Sequence, residues 1–197
     1  MTIRPSHPSD LPSLYEICHR TGHVGRDASE VLSDRTSLGH YFAAPYVIRN
    51  PEWCWVVTDH EGVAGYLVTT PDSRGFAAWM NDFWLPGVRD HYKNPLPSEK
   101  SPFEGWLRQT IVGPASVPDF VDTYPAHLHI DLLPRGQGQG WGGRLLATFV
   151  AKLHQGGIPG FHLGVGTENV SAQGFYAKQG FQVIRRDPGV VYFGLCW

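Results

Sequence analysis

Residues 133–146 read LPRGQGQGWGGRLL. Five glycines fall within the eight residues 136–143. Neither a helix interior nor a strand interior tolerates that density, because each glycine gives up backbone entropy and offers no side chain to pack. The stretch reads as a loop whose backbone something else must approach closely. It runs into a helix expected over about 140–154, and a glycine-rich turn at a helix start aims unpaired N–H groups and the positive end of the helix dipole outward. An anion is what such a turn holds.

Two nucleotide readings of the loop fail on their surroundings. Gly138, Gly140 and Gly143 spell G-x-G-x-x-G, and Glu168 stands about where a dinucleotide fold would want its ribose-binding acid. That fold needs the unit early in a mainly parallel sheet, whereas here an antiparallel hairpin precedes it and little chain follows. No GxxxxGK[ST] is present, which removes the triphosphate loop.

Working outward, TIRPS is a short opening strand, and Ser9 or Asp10 can cap a helix through LPSLYEICHRTG, where Leu11, Leu14, Ile17 and Cys18 share a face. A second helix is expected over 29–43. WCWVVTD and VAGYLVTT flank the turn HEG as an antiparallel hairpin. Residues 71–125 form a proline- and aromatic-rich insertion with some helix, such as 76–92. AHLHIDLL returns to strand. Beyond the glycine loop and its helix come the strand GFHLGVG, a helix from Asn169 to Gln179, and strands near 181–186 and 190–196. Asn169 suits an N-cap, and Gly180 with Phe181 behind it suits a helix stop.

Composition sets the outer limits. The 197 residues suit one domain over 1–197, and 42% hydrophobic with 17% charged residues is globular. A net charge of −2 without a basic cluster argues against nucleic acid or an anionic membrane as partner. Three cysteines in no CxxC pair do not make a disulfide framework. With no signal peptide or membrane-length apolar run, the expected location is cytoplasmic. Gly, Pro and Trp (23, 16 and 7) are plentiful, as in long ordered loops covered by aromatic side chains.

Read from Arg135, the loop also spells R-x-x-G-x-G, and about thirty residues on stands NVSAQGFYAKQGF. In this pairing of motifs and in strand order the chain resembles the GNAT superfamily of N-acetyltransferases. The resemblance is sharp over about 126–181. It implies a mixed α/β (α+β) fold, with a mostly antiparallel central sheet flanked by helices and the insertion placed before the fourth strand. It further implies an acetyl-CoA-dependent transfer of acetyl to an amine acceptor of unknown identity. The cosubstrate would lie against Leu132, Leu133, Arg135, Gly136, Gln137, Gly138, Gln139, Gly140, Trp141, Gly142, Asn169, Ser171 and Tyr176, with the glycine loop on its pyrophosphate and Tyr176 beside the thioester sulfur as general acid.

In AHLHIDLL, His127, His129 and Asp131 alternate with Leu128, Ile130 and Leu132, so the three polar residues share one strand face. Acyl transfer to an amine needs a deprotonated nucleophile, and a histidine near neutrality suits that task. Arylalkylamine acetyltransferases of the superfamily likewise use histidines on this strand. His129, nearer the loop, is the favoured base over His127, and Asp131 would orient an imidazole or hold a cationic substrate. One or both histidines are also compatible with simple hydrogen bonding inside the sheet. A metal site is not expected, since alternate residues on one strand stand about 7 Å apart. HLHIDLLP with RGQGQGWGGRLL and the insertion also resembles the acetyltransferase-like C-terminal domain of animal O-GlcNAcases and its free-standing bacterial relatives. That likeness keeps a second reading open, a catalytically silent domain that binds acetyl-CoA or a protein partner. Acceptor and oligomeric state, a homodimer included, are left open by the sequence.

Overall fold

The computed structural model describes residues 1–95 and 99–197; residues 96–98 of the insertion lie outside the described residues. Seven strands form one sheet in the order β1-β2-β3-β4-β5-β7-β6. β1 (Thr2–Pro5), β2 (Trp55–Asp59), β3 (Gly62–Thr70) and β4 (Ala126–Leu132) pair antiparallel in sequence order. β5 (Gly160–Gly166) joins β4 in parallel, and β6 (Gln182–Asp187) and β7 (Val190–Cys196) complete the sheet antiparallel. The expected mixed, mostly antiparallel sheet flanked by helices is what the chain forms.

Period-two alternation sorts side chains onto two cores. Val56, Tyr66 and Val68 face α1 (Leu11–Thr21), α2 (Ser37–Phe42), α3 (Ala44–Arg49) and the insertion. Val57, Leu67, Ala126 and Leu128 face α7 (Trp141–Gln155) and α8 (Val170–Lys178). The odd-numbered face of β4 therefore looks toward the insertion.

The expected single helix over 29–43 is not formed. The Asp34 carboxylate accepts from its own downstream Thr36 N–H at 2.7 Å, turning residues up to 36 into loop. The chain then breaks at Ala43 between two six-residue helices, with Pro45 early in the second. Within the insertion, α4 (Ser73–Trp79), a π-helical turn (Met80–Trp84) and α5 (Leu85–Tyr92) run on from one another, and α6 (Pro102–Val112) follows. Glu104 of α6 anchors this block by accepting from the Ser33 and Lys100 N–H groups at 2.7 and 2.6 Å.

α8 has the expected ends. Asn169 accepts from Ala172 N–H, and Gly180, at φ +85°, stops the helix. Phe181 N–H bonds back to Tyr176 C=O and Gly180 N–H to Ala177 C=O, a Schellman closure that drives Phe181 into the core.

Candidate functional site

β4 and β5 meet only at Ala126↔Phe161 and His127↔His162. Both strands continue, β4 to Leu132 and β5 to Gly166, but unpaired with each other, so a wedge opens between them. Its walls carry backbone N–H and C=O groups that no neighbouring strand uses on that side. The glycine loop sits at the wide end.

The loop is built so that side chains hold it and its backbone is left free. Arg135 turns inward to Asp59 (3.0 Å) and the Val63 carbonyl (2.9 Å), tying the loop to the β2–β3 hairpin. Gln137 donates its amide to the Leu132 carbonyl and Gln139 to that of Arg135, at 2.7 and 2.8 Å. The N–H groups of Gly138, Gln139 and Gly140 find no acceptor among the described residues. Gly138 and Gly140 take φ +71° and +79°, and a Cβ on either would meet nothing within 4 Å, so the surface they present is open as well as left-handed. Gly140 caps α7 without any side-chain bond. Together these features fit a pyrophosphate.

Gly142 has a different reason for being glycine. A Cβ there would stand 3.1 Å from the Phe175 ring of α8, so its bareness lets α7 and α8 close. Leu133 is buried, its N–H on the Ala64 carbonyl at 2.8 Å, and Leu132 packs beside Gly136 and Gly142. Trp141 lies under the Arg144 guanidinium at 4.6 Å. Ser171 is exposed on the first turn of α8. Gly174, in the same helix, faces open space, so no protein neighbour requires it.

Arg144 itself was not singled out by sequence. A cation in the first turn of a helix opposes the dipole, and that mismatch beside a glycine loop is the signal that would have found it.

His127, His129 and Asp131 run along β4 on the insertion face, from the narrow end, where His127 pairs with His162, toward the wide end, where Asp131 lies one residue before the strand stops. Each still reaches solvent, yet protein surrounds them closely enough to disfavour charge. Burial, then the neighbouring His162 and His129, holds His127 well below the ordinary histidine range. Burial, then His162, brings His129 down to about 4. The expectation of a histidine titrating near neutrality is thereby corrected: an imidazole in so tight a slot loses the water that would stabilise its cation. Asp131 is not bonded to an imidazole. It accepts from Tyr66 Oη (2.6 Å) and Thr21 Oγ1 (3.0 Å), and burial raises its pKa.

Tyr46 was also missed by sequence. Its hydroxyl lies 2.7 Å from His127 Nε2 and 3.1 Å from His129 Nε2, while His127 Nδ1 lies 2.7 Å from Ser73 Oγ. His129 Nδ1 has no partner among the described residues. Tyr176 is buried against Phe175, Phe181 and Phe193, its phenol kept protonated first by burial and then by the Asp131 charge.

Outward from His129 runs a row of rings. Phe42 meets the imidazole edge-on at 5.2 Å, Trp106 lies nearly parallel to Phe42 (14°, 6.5 Å), and Phe103 nearly parallel to Trp106 (19°, 5.6 Å). Trp106 is 50% exposed, so the row is open to solvent beyond Phe42. No cluster of three or more metal-ligating side chains occurs among the described residues, and no helix among them is long and apolar enough to cross a membrane.

This geometry has relatives. The crystal structure of SsHAT superposes with a TM-score of 0.86 at 37% identity, covering 99% of this chain and 97% of that one. Fold likeness alone extends to the PaiA N-acetyltransferase from Thermoplasma acidophilum in complex with coenzyme A (TM-score 0.59, 13% identity, 100% and 98% coverage). It extends likewise to YncA from Salmonella typhimurium with its cofactor acetyl-CoA (TM-score 0.58, 16% identity, 100% and 93%). Among curated proteins, Protein O-GlcNAcase of Rattus norvegicus is 23% identical over 189 residues, 94% of this chain, and the Mus musculus protein matches equally. The chain spans about a fifth of the length of those relatives. Residues 13–181, which hold the wedge, the glycine loop and α8, match the Acetyltransferase (GNAT) family, and the chain belongs to it.

Proposed function

We propose that this chain transfers acetyl from acetyl-CoA to an amine that enters along the Phe42–Trp106–Phe103 row. One observation carries the reading: free N–H groups at Gly138–Gly140 stand at the wide end of a wedge near whose narrow end lies His129 with an unpartnered Nδ1. Acetyl-CoA supplies an acyl group already activated as a thioester. The loop N–H groups and the α7 dipole hold the pyrophosphate, with Arg144 as an added cation. The unpaired edges of β4 and β5 receive the amides of an extended arm as a strand would.

The chemistry forms an N–C bond and breaks a C–S bond. His129 Nδ1 takes the proton that the attacking nitrogen must lose, and Tyr176 donates to the departing sulfur. A base with a pKa of about 4 does not deprotonate an ordinary ammonium ion. The acceptor therefore enters as the neutral amine, and His129 acts only once attack has made the nitrogen acidic. The pH profile of kcat/KM should follow the acceptor's own amine, with no histidine step near pH 6.5.

The test joins binding to turnover. Acetyl-CoA at a hundred times its Kd should stabilise the protein by about 2.7 kcal/mol, and free thiol should appear with at least one member of a panel of small amines, amino sugars and lysine peptides. A melting curve indifferent to millimolar acetyl-CoA defeats the reading. Binding without thiol release across the panel favours the silent, ligand-binding alternative.

A further inference from the structure

The hydrogen bonds around His129 form a chain whose direction is fixed from one end. Ser73 Oγ lies 2.6 Å from the Pro125 carbonyl, which can only accept, so the serine's single proton points there. Toward His127 the serine oxygen must then accept, and His127 carries its proton on Nδ1. Packed too closely to be charged, His127 has a bare Nε2, which takes the Tyr46 hydroxyl proton across 2.7 Å. Having given its one proton, Tyr46 accepts from His129, which places the His129 proton on Nε2. His129 Nδ1 is left with a lone pair. The third histidine nearby, His162, stands outside the chain, its Nδ1–H donating to the Tyr124 carbonyl at 2.8 Å.

We propose that Tyr46 and Ser73 are positioning residues: with His127 as a relay, they lock His129 in the Nε2–H tautomer, so that Nδ1 always keeps its lone pair. The two histidines thus hold opposite tautomers and unequal roles. His127 has both nitrogens engaged by protein partners, whereas His129 keeps one nitrogen free. The value of the chain in catalysis rests on the acetyl-transfer reading, but the tautomers themselves do not.

That separation decides the experiment. Nitrogen-15 NMR of histidine-labelled protein at pH 7, without acetyl-CoA, reads which ring nitrogen carries each proton. Wild type should show His127 protonated on Nδ1 and His129 on Nε2. Ser73→Ala removes the anchor three hydrogen bonds from His129 and leaves both directions of the chain open, so His129 should become a mixture of tautomers, and Ser73→Thr should restore the single form. Tyr46→Phe should cut the link outright, slowing acetyl transfer about tenfold with the KM for acetyl-CoA unchanged. A purely structural serine would not move the His129 tautomer. The proposal is overturned if wild-type His129 carries its proton on Nδ1, a reading that needs no variant to fold, or if Ser73→Ala leaves the tautomer unmixed. Assigned tautomers in a protein that releases no thiol would leave the relay standing and remove the acetyl-transfer reading instead.

Discussion

The glycine loop and the histidine row are neighbours on the chain, separated only by Leu132 to Pro134, and they are built in opposite ways. In the loop, the two glutamines are tied back within five residues, Gln137 to Leu132 and Gln139 to Arg135, Arg135 alone reaches across to the β2–β3 hairpin, and the backbone of Gly138 to Gly140 is left free. On the strand the backbone is tied into β3, and the side chains are held by partners 54 to 110 residues away: Ser73, Tyr66, Tyr46 and Thr21. A main-chain site needs little more than the right local torsions. A side-chain site needs the whole fold assembled around it, and its chemistry is set by that surrounding.

The sharpest way to break this comparison is to damage each region alone. Gly138→Asp places bulk and negative charge against the pyrophosphate and should abolish the acetyl-CoA stabilisation of about 2.7 kcal/mol expected of the wild type at a hundredfold excess over Kd. The histidine tautomers should stay as they were. His129→Ala should do the reverse, cutting turnover by about a hundredfold while leaving acetyl-CoA affinity intact. Isothermal calorimetry and a thiol-release assay on both variants give a two-by-two result. If His129→Ala also loses the cosubstrate, the two regions are one site and the division fails.

What was legible in the sequence follows the same line. The glycine loop, the helix it opens, and the Asn169 and Gly180 caps are set by local geometry and were read from spacing, as were the hairpin and the strand HLHIDLL. The face shared by His127, His129 and Asp131 was readable from strand period. Their partners were not, because nothing in the alternation of β4 says that Tyr46 and Ser73 will lie above it. The expected near-neutral histidine failed for that reason: its basicity comes from packing by α3, α4 and β5, elements far off in the chain. The expected helix over 29–43 failed more locally, where the Asp34 turn to Thr36 keeps the chain up to residue 36 out of a helix.

Acid should find the strand and spare the loop. His129 has a folded pKa of about 4 against an unfolded value near 6.5, so the unfolded chain binds more protons between those limits. Stability is thus fully present above about pH 6.5 and falls as pH drops toward 4. From pH 7 to pH 5 this one group should cost about 2 kcal/mol. His127, pushed down by the same burial, adds in the same direction. Asp131 works against them, since its raised pKa favours the folded state as acid protonates it. The loop from Gly136 to Gly143 contains no titratable side chain. Urea midpoints measured between pH 7 and pH 5 should fall for wild type and fall less for His129→Gln; equal slopes would refute the depressed histidine.

The smallest effect separates glycines inside the loop. Gly138 and Gly142 look alike in sequence, but the first is left-handed and open, whereas the second is helical and pressed toward Phe175. Gly138→Ala should cost roughly 1–2 kcal/mol through its positive φ. Gly142→Ala gains up to about 1 kcal/mol of helix propensity, and loses part of it where the new Cβ stands 3.1 Å from the ring. Phe175 is only half-buried and can yield by the few tenths of an ångström required. The net change at 142 should stay within about 0.5 kcal/mol, with acetyl-CoA affinity unaltered because the N–H remains in place. Should Gly142→Ala abolish binding as Gly138→Asp does, the second glycine also faces the ligand, and the free backbone surface extends a full turn into α7.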